Sequence, residues 1–269
     1  MATQHQSQPS AACPVCDGTG WKQVEVPGKA SRMTRCDCRI SARIDRLLKA
    51  ARIPTRYSHC ALETFSTTFS GADNSLSEAL LRARLFAEQY LVDKQPGPLF
   101  TGSYGTGKTH LAVGVIKALI FKGVPCIFYD YRELLKEIQN SYNPSVQITE
   151  LDILKPVFES EVLLLDELGA ARPTEWVWDA VQYILNTRYN AQLTTIITTN
   201  YRFGPETKQQ PGEAYDKFQV RKAGQNEEFT LGDRIGDRMI SRLVEMCRIV
   251  PVSGPDFRKI GKNASSYRE

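Results

Sequence analysis

No apolar run in the chain approaches the roughly 20 residues that a membrane-spanning helix needs. The longest, near Ile116–Phe121 and Val162–Leu165, are only short stretches. The opening segment, MATQHQSQPSAA, lacks the basic n-region and apolar h-region of a signal peptide, so a cytoplasmic protein is expected. Neither sign of charge dominates: 34 Lys and Arg against 30 Asp and Glu leave +4, which suits a nucleic-acid partner without demanding one. A disulfide framework is also unexpected, because seven cysteines is an odd number in a chain with no export signal. There is no internal repeat, and a hydrophobic share of 42% with a charged share of 24% excludes only the extreme compositional classes.

What remains is a 269-residue globular chain, long enough for one large domain or a medium domain with a small appendage. Residues 1–12 are polar and expected to be a disordered tail. Residues 13–38 carry Gly18, Gly20, Pro27 and Gly28 and read as loop-rich, too poor in apolar side chains to form a core. Something other than hydrophobic burial must hold them.

The cysteines supply a candidate. Cys13-x-x-Cys16, then nineteen residues, then Cys36-x-Cys38 offers four thiolates, the number that a tetrahedral structural Zn²⁺ takes. Such a site is closed, with no position for a reacting water, so its role would be structural. The Cys-x-Cys pair is tighter than is standard, and free thiols are the alternative. Cys60, Cys126 and Cys247 lie apart in apolar or mixed surroundings and read as core thiols.

Ile44, Leu47, Leu48 and Ala51 have helical spacing within Ser41–Ala51, with Arg39, Arg43, Arg46, Lys49 and Arg52 between or beside them. This helix either meets an acidic partner or DNA, or simply solvates its basic face. A second helix, Ser75–Val92, lines Leu76, Leu80, Ala83, Ala87, Tyr90 and Leu91 on one side. After Gly97-Pro98 short apolar runs alternate with helical patterns, which argues for βαβ units around a parallel sheet. Strands are expected at Leu99–Thr101, Pro125–Tyr129, Val162–Asp166, Thr194–Thr199 and Arg248–Val252. Helices are expected at Lys108–Phe121, Arg132–Tyr142, Thr149–Ser160, Thr174–Tyr189 and Asp233–Met246. The polar stretch Tyr201–Gly232 far exceeds the usual loop of about 4–6 residues.

The sharpest motif is Gly102-Ser103-Tyr104-Gly105-Thr106-Gly107-Lys108-Thr109, which satisfies G-x-x-x-x-G-K-[ST] between a strand and an apolar helix. Its glycines let successive backbone N–H groups converge on phosphate oxygens, and the helix presents its positive end to them. Lys108 is expected to reach the β- and γ-phosphates of ATP, and the Thr109 hydroxyl to ligate Mg²⁺; the cradle extends to His110. Val162-Leu163-Leu164-Leu165-Asp166-Glu167 is an apolar strand ending in two acids, at the sheet edge where ligands bind in open α/β folds. Asp166 is expected to hold Mg²⁺ through water, and Glu167 to activate the attacking water. Thr195-Ile196-Ile197-Thr198-Thr199-Asn200 is a further strand whose Asn200 can orient that water or touch the γ-phosphate.

This order of P-loop, Asp-Glu strand and Asn-ended strand resembles the AAA+ ATPases, and within them the DnaC/DnaI helicase loaders and related IstB transposition ATPases. The resemblance spans about residues 53–260. It rests on Ile53-Pro54-Thr55-Arg56-Tyr57 with Leu62 and Phe65, GSYGTGKTHL from Gly102, LLLDELG from Leu163, LNTRYN from Leu185, RIGDRMISRL from Arg234, and Gly254-Pro255-Asp256-Phe257-Arg258. It implies a five-stranded parallel sheet of order 5-1-4-3-2 flanked by helices, with no C-terminal lid domain.

In such ATPases the site lies between subunits, so the resemblance makes Arg242 the candidate arginine finger, ahead of Arg238 and Arg234. It further implies that residues 13–52, a zinc module and linker helix, grasp the replicative hexameric helicase, and that residues 261–269 form a tail. Trp21, Lys22, Lys29, Arg32 and Arg35 are alternative DNA contacts. For single-stranded DNA, Tyr131, Arg132, Tyr142 and the loop residues Lys208, Lys217, Arg221 and Lys222 are candidates. The leading expectation is an ATP-hydrolysing helicase loader that self-associates through its ATP site. Alternatives are an IstB-like transposition ATPase, a non-hydrolysing ATP-switched adaptor and a small-molecule kinase.

Overall fold

The computed structural model describes residues 13–202 and 229–260. The tails expected at 1–12 and 261–269, and the loop lysines and arginine Lys208, Lys217, Arg221 and Lys222, lie outside these residues. The described chain opens with a hairpin, β1 (Trp21–Val26) and β2 (Lys29–Arg35), whose antiparallel register pairs Trp21 with Arg35. The loop expected over residues 13–38 is thus corrected: backbone pairing from Trp21–Arg35 to Val26–Lys29 closes a hairpin around Pro27-Gly28, although none of the hairpin's described side chains is buried. Helix α1 (Asp37–Ala50) follows at once, four residues earlier than periodicity indicates.

Five parallel strands make the central sheet: β3 (Gly97–Thr101), β4 (Cys126–Asp130), β5 (Val162–Asp166), β6 (Thr194–Thr199) and β7 (Cys247–Pro251), in the order β4-β5-β6-β3-β7. Counted from β3 this is the expected 5-1-4-3-2. The short apolar runs VLLLD and TTIITT are buried on both faces, as parallel strands covered by helices must be. Each parallel step needs a crossover, which the intervening helices provide.

One face of the sheet is covered by α1, α2 (Asn74–Gln89) and α3 (Lys108–Phe121), through a core that includes Leu76, Phe86, Leu111, Ile116 and Phe128. The other is covered by α4 (Tyr131–Ser141), α5 (Glu150–Glu159), α6 (Glu175–Asn190), α7 (Leu231–Ile235) and α8 (Asp237–Met246), around Leu134, Val157, Leu163, Leu185 and Met239. Each fully buried Leu or Ile of this set contributes about 1.5–3 kcal/mol. A last turn, α9 (Phe257–Ile260), closes the described chain. The helix expected over Asp233–Met246 is broken at Gly236, whose φ of 88° with ψ of 141° ends one helix and starts the next. A capping box between Thr230 and Asp233 brings its first half forward to Leu231.

The cysteine-bearing segment is not independent of this body. Ile44, Leu47 and Leu48 of α1 pack on the first core, the Arg43 guanidinium donates to the Gly123 carbonyl at 2.9 Å, and the Ala51 carbonyl accepts from Phe128 N–H on β4. The basic residues at positions 39, 43, 46 and 49 remain exposed. Among the described residues no helix is long and apolar enough to cross a membrane.

Candidate nucleotide site and cysteine cluster

Strands β5, β6 and β3 are neighbours, with Thr101 in register with Thr199 and Leu165 with Ile197. Their carboxyl ends therefore deliver the Gly102–Thr109 loop, Asp166-Glu167 and Asn200 to one edge of the sheet, where the strand order reverses. The loop turns sharply back into α3. Gly107 caps that helix at φ 93° with no side-chain acceptor, so the first-turn N–H groups are open to an anion. A Cβ at Gly107 would meet the Phe65 ring at 2.6 Å, and one at Gly105 would meet the Asp256 carboxylate at 1.8 Å. Phe65 and Asp256 thus explain why the sequence motifs at both ends of the core accompany the loop. Phe257 N–H also donates to the Gly105 carbonyl at 3.1 Å.

Lys108 is buried, 6% exposed, and its ammonium donates to the Ser103 carbonyl across the loop. Burial pulls its pKa down to about 8, against the pull of Asp166 and Glu167. Asp166 is completely buried. Its Oδ1 accepts from the Thr109 hydroxyl at 2.9 Å and from the Thr198 hydroxyl at 2.6 Å, while Oδ2 has no partner. Burial pushes this carboxyl up to about 6, although both hydroxyls oppose the shift. An orphaned carboxylate oxygen beside a threonine hydroxyl is the donor chemistry that a hard divalent cation such as Mg²⁺ takes. The residues therefore fit that ion.

Glu167 adopts φ 58°, a conformation that costs a non-glycine residue of order 1 kcal/mol and is held only when its surroundings fix it. Thr198 fixes it. Its hydroxyl accepts from Glu167 N–H at 2.9 Å while donating to Asp166, its carbonyl accepts from Leu168 N–H, and the Thr199 hydroxyl donates to the Leu168 carbonyl. Sequence reasoning missed Thr198. The available signal was a threonine near the carboxyl end of TTIITT, the strand expected beside the acidic one. Tyr57 was likewise quoted only as a motif residue, yet its pKa is raised to about 12, first by burial and then by the charge of Asp166.

The remaining candidates distribute unevenly. Ser103 and Tyr104 sit on the exposed lip of the loop, Thr106 is buried with its hydroxyl on the Ser103 carbonyl, and Asn200 ends β6 half-buried. The His110 ring turns away from the loop, donating from Nε2 to the Ala61 carbonyl at 2.9 Å, so only its backbone belongs to the cradle. Arg242 lies over the Tyr189 ring at 5.7 Å. Arg234 lies over Tyr201 at 4.6 Å, and Arg238 is exposed. Tyr142 stacks edge-on with Trp176 at 6.4 Å, whereas Tyr131 is buried in the second core, which removes it from the DNA-facing candidates.

At the other end of the chain the four cysteine sulfurs all lie within 4.8 Å of one another. Cys13 and Cys36 are 3.8 Å apart, and Cys16 and Cys38 3.5 Å. Four thiolates at about 2.3 Å from one tetrahedral centre stand about 3.8 Å apart, so the cluster fits Zn²⁺. The Cys-x-Cys spacing is accommodated because Cys36 closes the hairpin and Cys38 lies in the first turn of α1.

Comparison with known proteins follows this geometry. The family described as IstB-like ATP binding protein matches residues 34–213, about two thirds of the chain. The chain belongs to this family. The replicative helicase loader DnaC of Escherichia coli K12 is 22% identical over 166 residues, 62% of this chain and 65% of DnaC. The DnaC of Buchnera aphidicola from Schizaphis graminum is 23% identical over 158 residues, 59% and 62% respectively. The matched portion is thus under two thirds of either relative. A crystal structure of the DnaC helicase loader superimposes with a TM-score of 0.57 at 30% identity, covering 74% of this chain and all of that one. A DnaI structure at 20% identity and TM-score 0.50, covering 76% and 94%, shares the fold. The five-stranded sheet with its flanking helices is the AAA+ architecture.

Proposed function

We propose that this IstB-family protein is an ATP-hydrolysing helicase loader. The observation that carries the reading is Asp166: completely buried, tied to Thr109 and Thr198 through one oxygen, with no partner on the other. A neutral scaffold does not bury an unpaired carboxylate without a use for it.

The catalytic roles follow from position. The N–H groups of Gly105, Gly107, Lys108 and Thr109 hold the β- and γ-phosphates, and Lys108 exchanges the Ser103 carbonyl for a phosphate oxygen. Thr109 and Asp166 would hold Mg²⁺, which would supply positive charge against that building on the phosphates. Glu167, fixed by Thr198, takes a proton from the attacking water, and Asn200 orients that water. Arg242 serves a neighbouring subunit's γ-phosphate, since within its own chain it lies over Tyr189. Residues 13–52, with zinc on Cys13, Cys16, Cys36 and Cys38, form the head that engages the helicase, and residues 53–260 the ATPase that assembles on single-stranded DNA. Support for the loader comes from the DnaC relatives. The family match also suits a transposition ATPase, which would pull down a transposase and no helicase.

Steady-state ATP turnover by the full chain, with and without single-stranded DNA and the cognate replicative helicase, tests this. Glu167→Gln should lower turnover about 10²–10³-fold with ATP binding retained. Thr198→Val should lower kcat about tenfold with little change in KM, as expected of a positioning residue. Wild-type turnover that Glu167→Gln leaves unchanged would sink the hydrolytic reading, and a helicase that never co-purifies would sink the loader.

A further inference from the structure

Beyond the cradle and the Cys13–Cys38 cluster, one set of side chains has no role in the chemistry above. His59, Cys60 and His110 each bring one ligating atom within 4.8 Å of the others. They come from two separate parts of the chain: His59 and Cys60 from the segment entering the ATPase domain, His110 from the first turn of α3, directly after Thr109. Cys60 is buried, His110 half-buried and His59 exposed.

We propose that His59, Cys60 and His110 form a second cation site, for a borderline-soft divalent ion of the zinc and cobalt(II) class, which fastens the entering segment to the phosphate-binding helix.

Three features carry this. The first is ligand chemistry: one thiol and two imidazoles is a set that tetrahedral Zn²⁺ accepts and that Mg²⁺ or Ca²⁺ does not. The second is distance. His59 Nε2 stands 3.7 Å from the Cys60 Sγ, against about 3.6 Å for a sulfur and a nitrogen on one tetrahedral zinc, and all three ligating atoms lie within 4.8 Å of one another. The third is the fixed tautomer of His110. Its Nε2 lies 2.9 Å from the Ala61 carbonyl, which only accepts, so Nε2 carries the proton and Nδ1 keeps its lone pair. A ligating histidine whose other nitrogen donates to a backbone carbonyl is the usual supporting arrangement of metal sites. Thr64 reinforces it, its hydroxyl 3.1 Å from the same nitrogen and also donating to the His59 carbonyl.

The surrounding structure is already braced for such a link. Lys117, two turns along α3, donates to the carbonyls of Tyr57 (3.1 Å) and Cys60 (2.8 Å), and also to that of Ser58. A cation on His59, Cys60 and His110 would hold the same segment against the turn that carries Thr109. That consequence rests on the nucleotide reading; the cation site itself does not.

The test is a titration of the full-length, metal-stripped, reduced protein with Co²⁺ alone, read by visible absorption and by bound equivalents per chain. Tetrahedral cobalt on thiolate and imidazole absorbs in the visible, and the Cys13–Cys38 cluster serves as an internal reference. Wild type should bind one more equivalent than His59→Ala and one more than Cys60→Ala, with the reference spectrum unchanged in both variants. Because His59 is exposed, its variant should fold even if the Cys60 substitution disturbs the core. Equal stoichiometry in wild type and His59→Ala overturns the proposal, whatever the ATPase does.

Discussion

The hairpin of residues 21–35 and the sheet of β3 to β7 are both made of β-strands, yet they are stabilised by different means. In the sheet, all five residues of VLLLD are buried, and the two cores on its faces together gather most of the large apolar side chains. Among the described side chains of the cysteine segment only Cys16, Gly20 and Cys36 are buried, while Val15, Trp21 and Met33 stand exposed. An isolated two-stranded hairpin is marginal in water. Its order therefore depends on the four sulfurs, whereas the sheet depends on area removed from water. The comparison teaches that exposed apolar residues on a segment held by ligands remain available for a partner, because they are not consumed in folding.

The largest way to break this contrast is Cys16→Ser in the full chain. Loss of a structural zinc ligand removes most of the binding energy, which in such modules is also the folding energy. Amide exchange should lose all protection over Trp21–Arg35 while β3, β5 and β6 exchange as before. Protection that persists in the hairpin would mean that backbone pairing and the Lys22–Asp37 contact at 2.6 Å suffice without the metal.

A smaller effect sharpens the other side. Arg188 is fully buried, yet among the described residues no carboxylate pairs with it. Its guanidinium instead donates to the carbonyls of Val157, Ser160 and Thr194 and to the Thr195 hydroxyl, tying α6 to the end of α5 and the start of β6. Burial lowers its pKa to about 10. Arg188→Met keeps the stem but leaves several buried acceptors unpaired, so it should cost about 3 kcal/mol. Urea denaturation followed by tryptophan fluorescence measures it; a loss under 1 kcal/mol would mean that the apolar packing alone sets this corner.

How much of this was legible differs between the two regions in the same way. The sheet order, the phosphate loop and Asp166-Glu167 follow from motifs and a family resemblance, because parallel strands and P-loops carry their function in contiguous residues. The break at Gly236 was hidden inside a continuous helical pattern, since Leu231, Ile235, Met239 and Leu243 keep a four-residue spacing across it. Thr198 was overlooked because its importance lies across two strands, in hydrogen bonds to Asp166 and Glu167 that no single segment encodes. The hairpin was missed because its strands bury no face, so alternation leaves no apolar stripe to detect.

Asp166 tests the smallest consequence of the contrast: a core built by burial should resent the one carboxylate among the described residues that it buries completely. The carboxyl is raised from 3.8 to about 6, so the folded protein binds a proton more tightly than the unfolded chain. Its contribution to stability is then fully present below about pH 4 and is lost as pH rises through about 6. Two units correspond to about 3 kcal/mol at most. Asp166→Asn removes that pH-dependent loss but leaves an amide N–H₂ where Oδ2 has no partner, an opposing cost of about 1–2 kcal/mol. In the nucleotide- and metal-free protein at pH 7.5 the variant should therefore be about 1–2 kcal/mol more stable, a rise of a few degrees in Tm. It should also show a flatter profile between pH 4 and 6. Lys108, depressed only to about 8, titrates outside that window. A variant less stable than wild type at pH 7.5 would mean that Thr109, Thr198 and Lys108 already compensate the buried charge, and that the site is part of the stabilising core and not an exception to it.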